Sequence, residues 1–235
     1  MKMKFLKKLN FKINNFLINA LVTGKWKQNS YLLTNETNGN QILIDPGNDG
    51  LDIIELIKKN GNGTIEKILL THGHFDHVGA LNHILNTFDV PVFIHKDDKR
   101  ILHQTQFYSI KYEKKYNHIN LNRISFFDNF NNKNVKILKA LHSPGHTPGS
   151  VCYYSDGFVF TGDTLFNGFI GRIDLYGGNA TLIKKSVDNI LNTIPNKTTI
   201  FSGHGDIWDI VSAKAWWVKC RENDVQLRLK NDPNR

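Results

Sequence analysis

The chain has 235 residues, of which 40% are hydrophobic and 22% charged, an ordinary globular balance for a length that can bury a sizeable core as one domain. A formal net charge of +9 favours acidic partners by long-range attraction: nucleic acid, an anionic membrane surface, an acidic carrier protein or an anionic small substrate. The two cysteines, Cys152 and Cys220, are not a closely spaced pair, which argues against a disulfide framework or a cysteine-based zinc site and suits a reducing compartment.

The N-terminus, Met1 to Lys8, is basic. Asn14, Asn15 and Asn19 interrupt the apolar residues that follow, so no signal-peptide core is read there. No stretch approaches the ~20 apolar residues of a membrane span. The expectation is a cytoplasmic protein.

Residues 30–34 and 41–44 read as strands, the second ending at Asp45-Pro46-Gly47. Residues 52–60 have helical apolar spacing that Gly61 stops, and 65–70 is a strand running into Thr71-His72-Gly73-His74-Phe75-Asp76-His77. A helix over 78–88 and a strand over 90–94 follow. Residues 96–134 contain neither Gly nor Pro and read as a helical, Tyr-rich insert. Its Tyr108, Tyr112 and Tyr116 share one helical face, which favours an aromatic stripe packed on the core over a substrate-facing lid. Residues 135–141 form a strand ending at His142-Ser143-Pro144-Gly145-His146, and 151–154 with 158–160 form a hairpin around Ser155-Asp156-Gly157. A helix over 180–194, a strand over 198–201 ending at Ser202-Gly203-His204-Gly205, and a closing helix over about 208–230 complete the chain.

The strongest chemical signal is the run from His72 to His77. Residues two apart on an extended segment point the same way, so His72 and His74 can reach one metal. Asp76 and His77 then turn over a helix start and can face a second. Four ligand-type side chains in six positions after an apolar strand are hard to explain by packing, because burying unpaired imidazoles and a carboxylate costs free energy. His146, Asp163 and His204 each follow the end of an apolar strand beside a glycine, and with the first cluster they supply enough donors for two metals.

The segment from Thr71 to Gly79 resembles the signature of the metallo-β-lactamase superfamily. Leu43-Ile44-Asp45-Pro46-Gly47, Ser143 to Ser150, Phe160 to Phe166 and Ser202 to Gly205 resemble the family's other motifs in the family's order, together covering most of 29–205. The resemblance implies an α/β fold, a four-layer αββα sandwich forming a single domain over 1–235. It also implies that His72, His74 and His146 hold one zinc, that Asp76, His77 and His204 hold a second, and that Asp163 bridges both. Asp45 would orient a ligand imidazole, and His142 would lie behind the ligands or be structural. His83, His95, His103 and His118 match nothing in the family pattern.

Two zincs bring a bridging water toward a pKa of ~7 and polarise a carbonyl. Asp76 and Asp163 are the catalytic carboxylates of this reading. A thioester fits such a centre, since a thiol of pKa ~8.5 leaves without a separate acid. Gly162 to Phe166, Gly171-Arg172 and Gly177-Gly178-Asn179 are similar to glyoxalase II-like hydrolases, in which the position of Arg172 lies near substrate. The stretch after His204 is shorter than the helical glutathione-binding domain of glyoxalase II. Acyl hydrolases of polyketide pathways, which act on acidic acyl carrier proteins, suit that shortness and the basic charge, with Lys214, Lys219, Arg221, Arg228 and Lys230 supplying a basic face. A nuclease of the same fold and an iron-dependent sulfur dioxygenase of the glyoxalase-like branch are the alternatives. A nuclease would be expected to carry an added nucleic-acid-binding module, and none is read here.

Overall fold

The computed structural model of the chain describes residues 8–114, 117, 119–128 and 137–222. Their contacts group into two compact units: Met1–Ile94 with Leu102–Ser125, and His95–Ile101 with Phe126–Arg235. Among the described residues, no helix is long and apolar enough to cross a membrane.

The first unit begins with a hairpin that the sequence reading saw only as an interrupted apolar run. Strands β1 (Lys8–Ile13) and β2 (Phe16–Thr23) pair antiparallel with Ile13 opposite Phe16, leaving Asn14 and Asn15 as the turn. Asn14 has φ 53°, the left-handed region that asparagine tolerates and that two-residue hairpins require. The asparagines therefore break the apolar pattern because they make a turn. Strands β3 (Gln28–Asn35) and β4 (Gln41–Ile44) continue the antiparallel order. Helix α1 (Gly50–Lys59) then carries the chain to β5 (Lys67–Leu69), which lies parallel to β4, as a crossover connection allows.

Helices α2 (Phe75–Val78) and α3 (Leu81–Thr87) lead to β6 (Val92–His95), parallel to β5. One helix was expected over 78–88, and two short ones are found. Gly79 sits between them, where an added Cβ would stand 2.3 Å from the Gly47 carbonyl, so the segment turns in close against the loop after β4.

The insert is only partly helical. Helix α4 (Lys99–Tyr108) runs into a π-helical turn over Ser109–Glu113, but a short 3₁₀ turn and strand β7 (Ile124–Phe127) follow. Four residues of β-pattern are too short to register against a helical reading. The sheet order is β1 to β7 in sequence. Tyr108 and Tyr112 do share a face. Their rings stack at 6.0 Å, Tyr112 stacks on Phe75 at 5.8 Å, and Trp26 meets Phe75 edge-on at 5.6 Å. The stripe thus packs on the segment that carries His74 and Asp76. Tyr116 lies outside the described residues.

The second unit holds a five-stranded sheet. Its strands are β8 (Lys139–His142), β9 (Val151–Ser155), β10 (Phe158–Gly162), β13 (Thr199–Ser202) and β14 (Trp208–Asp209), in the order β14-β13-β10-β9-β8. Between them in sequence come a small hairpin of β11 (Leu165–Phe166) and β12 (Phe169–Ile170), and helix α5 (Ala180–Thr193). Asn179 caps α5 by accepting the Leu182 N–H at 2.9 Å. Ile183, Val187 and Ile190 of α5 pack with Val159 and Ile200 of the sheet, and with Ile210, Ala213 and Trp217 of helix α6 (Ile210–Glu222). Each isoleucine or valine among them contributes about 1.5–3 kcal/mol on burial.

The closing helix starts two residues later than its apolar spacing suggested, because Trp208 pairs with Ile200 as a strand residue. Of its expected basic face, Arg221 is paired with Asp188 at 2.8 Å and Lys214 is bonded to Asn196 at 2.6 Å. Arg228 and Lys230 lie outside the described residues.

Candidate metal centre

In the first unit, β4 and β5 run parallel, so the residues after their ends meet. Asp45 follows β4 in a left-handed conformation, φ 48°. It is held there by main-chain contacts: the Ser30 hydroxyl donates to the Asp45 carbonyl at 2.7 Å and in turn accepts the Gly47 N–H at 3.0 Å. The buried carboxylate then accepts three hydrogen bonds, from Thr71 N–H at 2.7 Å, from the Thr71 hydroxyl at 2.6 Å and from His77 Nδ1–H at 2.9 Å. The Thr71 oxygen, having given its proton to Asp45, faces His72 Nδ1 at 3.1 Å and accepts from it. Both imidazoles are thereby fixed with Nδ1 protonated and Nε2 left as the ligating atom. Asp45, His72 and His77 place one donor atom each within 4.8 Å of one another. The rings of His72 and His74 meet edge to face at 4.9 Å. Asp76 and His77 occupy the first helix, α2, and all four ligand-type side chains of the run are buried.

In the second unit, His146 follows β8, Asp163 follows β10 and His204 follows β13. Strands β10 and β13 are parallel, so Asp163 and His204 leave the sheet at the same end. Asp163 Oδ2 lies 3.5 Å from His146 Nε2 and 3.6 Å from His204 Nε2. A single carboxylate oxygen equidistant from two imidazole nitrogens suits a bridge between two cations, with each Nε2 serving one. His146 Nδ1–H donates to the Arg172 carbonyl at 2.8 Å, again leaving Nε2 for a metal. Gly171 makes this approach possible: a Cβ there would stand 1.9 Å from the Asp163 carbonyl and 3.0 Å from His146 Nδ1.

Arg172 therefore holds His146 through its main chain. Its guanidinium forms a two-pronged pair with Asp174, both contacts 2.7 Å, and holds that carboxyl below the usual carboxylate range. His142, expected behind the ligands or as a structural residue, takes the structural place. Its Nε2–H donates to the Pro148 carbonyl at 2.9 Å and its ring stacks on His95 at 4.1 Å, so it braces the loop around His146 rather than touching a ligand side chain. Burial and the neighbouring His142 push the His95 imidazole below its ordinary pKa.

Asp98 went unnoticed in the sequence. It is fully buried, accepts the Gly149 N–H at 2.7 Å and the Thr147 hydroxyl at 2.9 Å, and so shapes the same loop. Within the run Lys96-Asp97-Asp98-Lys99 nothing distinguishes it from a solvated charge. The supporting roles of Ser30 and Thr71 were equally unmarked. Burial pushes the Cys152 thiol up to about 12, which removes it as a nucleophile.

The donor chemistry fits a zinc-type cation. Histidine nitrogens and carboxylate oxygens are its ordinary ligands, and three of the histidines have their second nitrogen anchored.

The family model of the metallo-beta-lactamase superfamily matches residues 23–204. A probable metallo-hydrolase, YqgX of Bacillus subtilis (strain 168), is 36% identical over 197 residues, covering 80% of this chain and 90% of that protein. Hydroxyacylglutathione hydrolase GloC of Haemophilus influenzae is 30% identical over 200 residues, covering 80% and 91%. Among solved structures, the BLEG-1 B3 metallo-beta-lactamase is 32% identical, with a TM-score of 0.70 over 84% of this chain and 96% of its own. TTHA1623 in a di-iron-bound form is 28% identical, with a TM-score of 0.74 over 83% and 96%.

Proposed function

The chain belongs to the metallo-beta-lactamase superfamily, with its α/β fold, and on that premise we propose that it hydrolyses thioesters at a centre of two zinc ions. It is a metal-dependent hydrolase, and the finer reading concerns the metal and the bond cleaved. The observation that carries it is Asp163 Oδ2 standing 3.5 and 3.6 Å from two imidazole Nε2 atoms. In this proposal His72, His74 and His146 hold one ion, Asp76, His77 and His204 the other, and Asp163 both. Bound there, the ions would supply an activated water and an electrophile for the carbonyl. Asp76 is the carboxylate assigned to hold the proton of the attacking water. Because the leaving thiolate needs no proton, no further acid is required. The likeness to GloC, named for a thioester hydrolysis, supports this choice of bond.

A second reading rests on the likeness to BLEG-1, a β-lactamase, and the di-iron form of TTHA1623 makes iron the rival metal. The test is a substrate panel on metal-replete protein. It comprises acyl thioesters of glutathione, coenzyme A and an acidic acyl carrier protein, together with a β-lactam and a single-stranded RNA. Turnover of thioesters with zinc is expected. Cleavage of the β-lactam or the RNA alone overturns the proposal, and activity restored by iron but not zinc overturns its metal. The carrier-protein arm also tests whether the net charge of +9 serves an acidic partner.

A further inference from the structure

We infer that His95, Asp97 and His142 form a further divalent-metal site in the second unit, of the two-imidazole, one-carboxylate kind that takes zinc and its first-row neighbours. The three residues place one donor atom each within 4.8 Å of one another, and none belongs to the seven residues assigned above. His95 ends β6 and is buried, Asp97 lies in the 3₁₀ turn that follows, and His142 ends β8.

The hydrogen bonds decide which nitrogens are available. His142 Nε2–H is committed to the Pro148 carbonyl at 2.9 Å, so Nδ1 carries the lone pair. His95 Nδ1 accepts the Asp97 N–H at a long 3.3 Å and lies 3.6 Å from Asp97 Oδ2. The Nδ1 edge of His95 and the carboxylate therefore face each other, and an ion there would replace the long contact with the Asp97 N–H. The ring of His95 is fixed by Phe127, edge-on at 5.5 Å, and by the His142 ring stacked on it at 4.1 Å. Lys96, the nearest cation in sequence, is drawn onto Asp128 at 2.7 Å and leaves Asp97 to the histidines.

Ligand nitrogens sit about 2.0–2.1 Å from zinc, so two donors on one tetrahedral ion are about 3.4 Å apart. Donors within 4.8 Å of one another must therefore close by up to about 1.4 Å. The movement falls on the exposed side chains of Asp97 and His142, the latter turning out of its stack on His95, while His95 stays as the anchor. Asp97 supplies the negative charge that a cation would balance.

An ion here would brace the structure rather than do chemistry. His142 already holds the carbonyl of Pro148, and Asp98, next to Asp97, holds Gly149 and Thr147. The ion would tie the turn after β6 to the loop that carries His146.

The experiment is titration of zinc chloride into the full chain by calorimetry after dialysis against chelator, repeated with His142→Ala and Asp97→Asn. The expected result is one ion fewer per chain in His142→Ala, and one ion weakened at least tenfold in Asp97→Asn. Equal counts and affinities in all three chains would overturn the site. So would an equal loss in His83→Ala, which removes an exposed imidazole elsewhere. Because His142 also braces the loop that carries His146, the Asp97→Asn arm separates this site from the seven-residue centre: an ion lost in His142→Ala with affinities unchanged in Asp97→Asn would overturn the site.

Discussion

Replacing Asp45 by asparagine changes one atom, yet it undoes the geometry on which the His77 ligand depends. The carboxylate accepts three hydrogen bonds while 2% exposed, from Thr71 N–H, the Thr71 hydroxyl and His77 Nδ1–H. An amide has one oxygen and one NH₂. If its oxygen keeps His77 and the Thr71 hydroxyl, the NH₂ meets the Thr71 N–H across 2.7 Å, two donors facing each other. If it is turned over, the NH₂ meets His77 Nδ1, and His77 must carry its proton on Nε2, the edge meant for metal. Either way at least one buried donor is unpaired and the charge assistance is gone, a loss of roughly 2–4 kcal/mol. A domain of ordinary stability survives that. Asp45→Asn should therefore stay folded, unfold at lower urea when metal-free, and hold zinc about 10–100-fold more weakly, as a lost imidazole partner does. Competition against a chromophoric chelator measures the second quantity. Zinc affinity within twofold of wild type would refute the tautomer argument.

Gly171→Ala places a methyl 1.9 Å from the Asp163 carbonyl, so it should cost at least ~2 kcal/mol in urea unfolding and lower metal content together. Arg172→Ala should leave metal content unchanged in elemental analysis, because the main-chain carbonyl holds His146; any effect should appear in KM for anionic thioesters, with kcat preserved. At pH 8 the Cys152 thiol, pushed up to about 12, is ionised to about one part in 10⁴. Alkylation followed by mass spectrometry should modify the native chain at Cys220 alone, with Cys152 reacting only in denaturant.

The seven candidate ligands were legible because each follows an apolar strand and a turn, and because imidazoles in that spacing have little use in a core. The parallel pairing of β10 with β13 shows why Asp163 and His204, 41 positions apart, come off one sheet end. Of the residues that orient the ligands, the family resemblance marked Asp45, and the others were not legible. Asp98 sits in a charged run, and Thr71 and Ser30 look like any strand-end hydroxyl; burial alone separates them, and burial follows from tertiary packing. The β1–β2 hairpin was hidden because its two-asparagine turn reads as an interruption when apolar runs are sought. The helical reading of the insert failed past residue 113, where a four-residue strand carries too few positions to show its period.

The most direct measurement is the zinc content of chelator-stripped, reconstituted protein in Asp163→Asn compared with its parent, both carrying Asp97→Ala so that the site at His95 is silent. Two tightly held ions per chain are predicted for the parent, with at least one lost in Asp163→Asn and thioester turnover lost with it. Two ions retained in Asp163→Asn, or fewer than two in the parent, would contradict the shared-carboxylate centre.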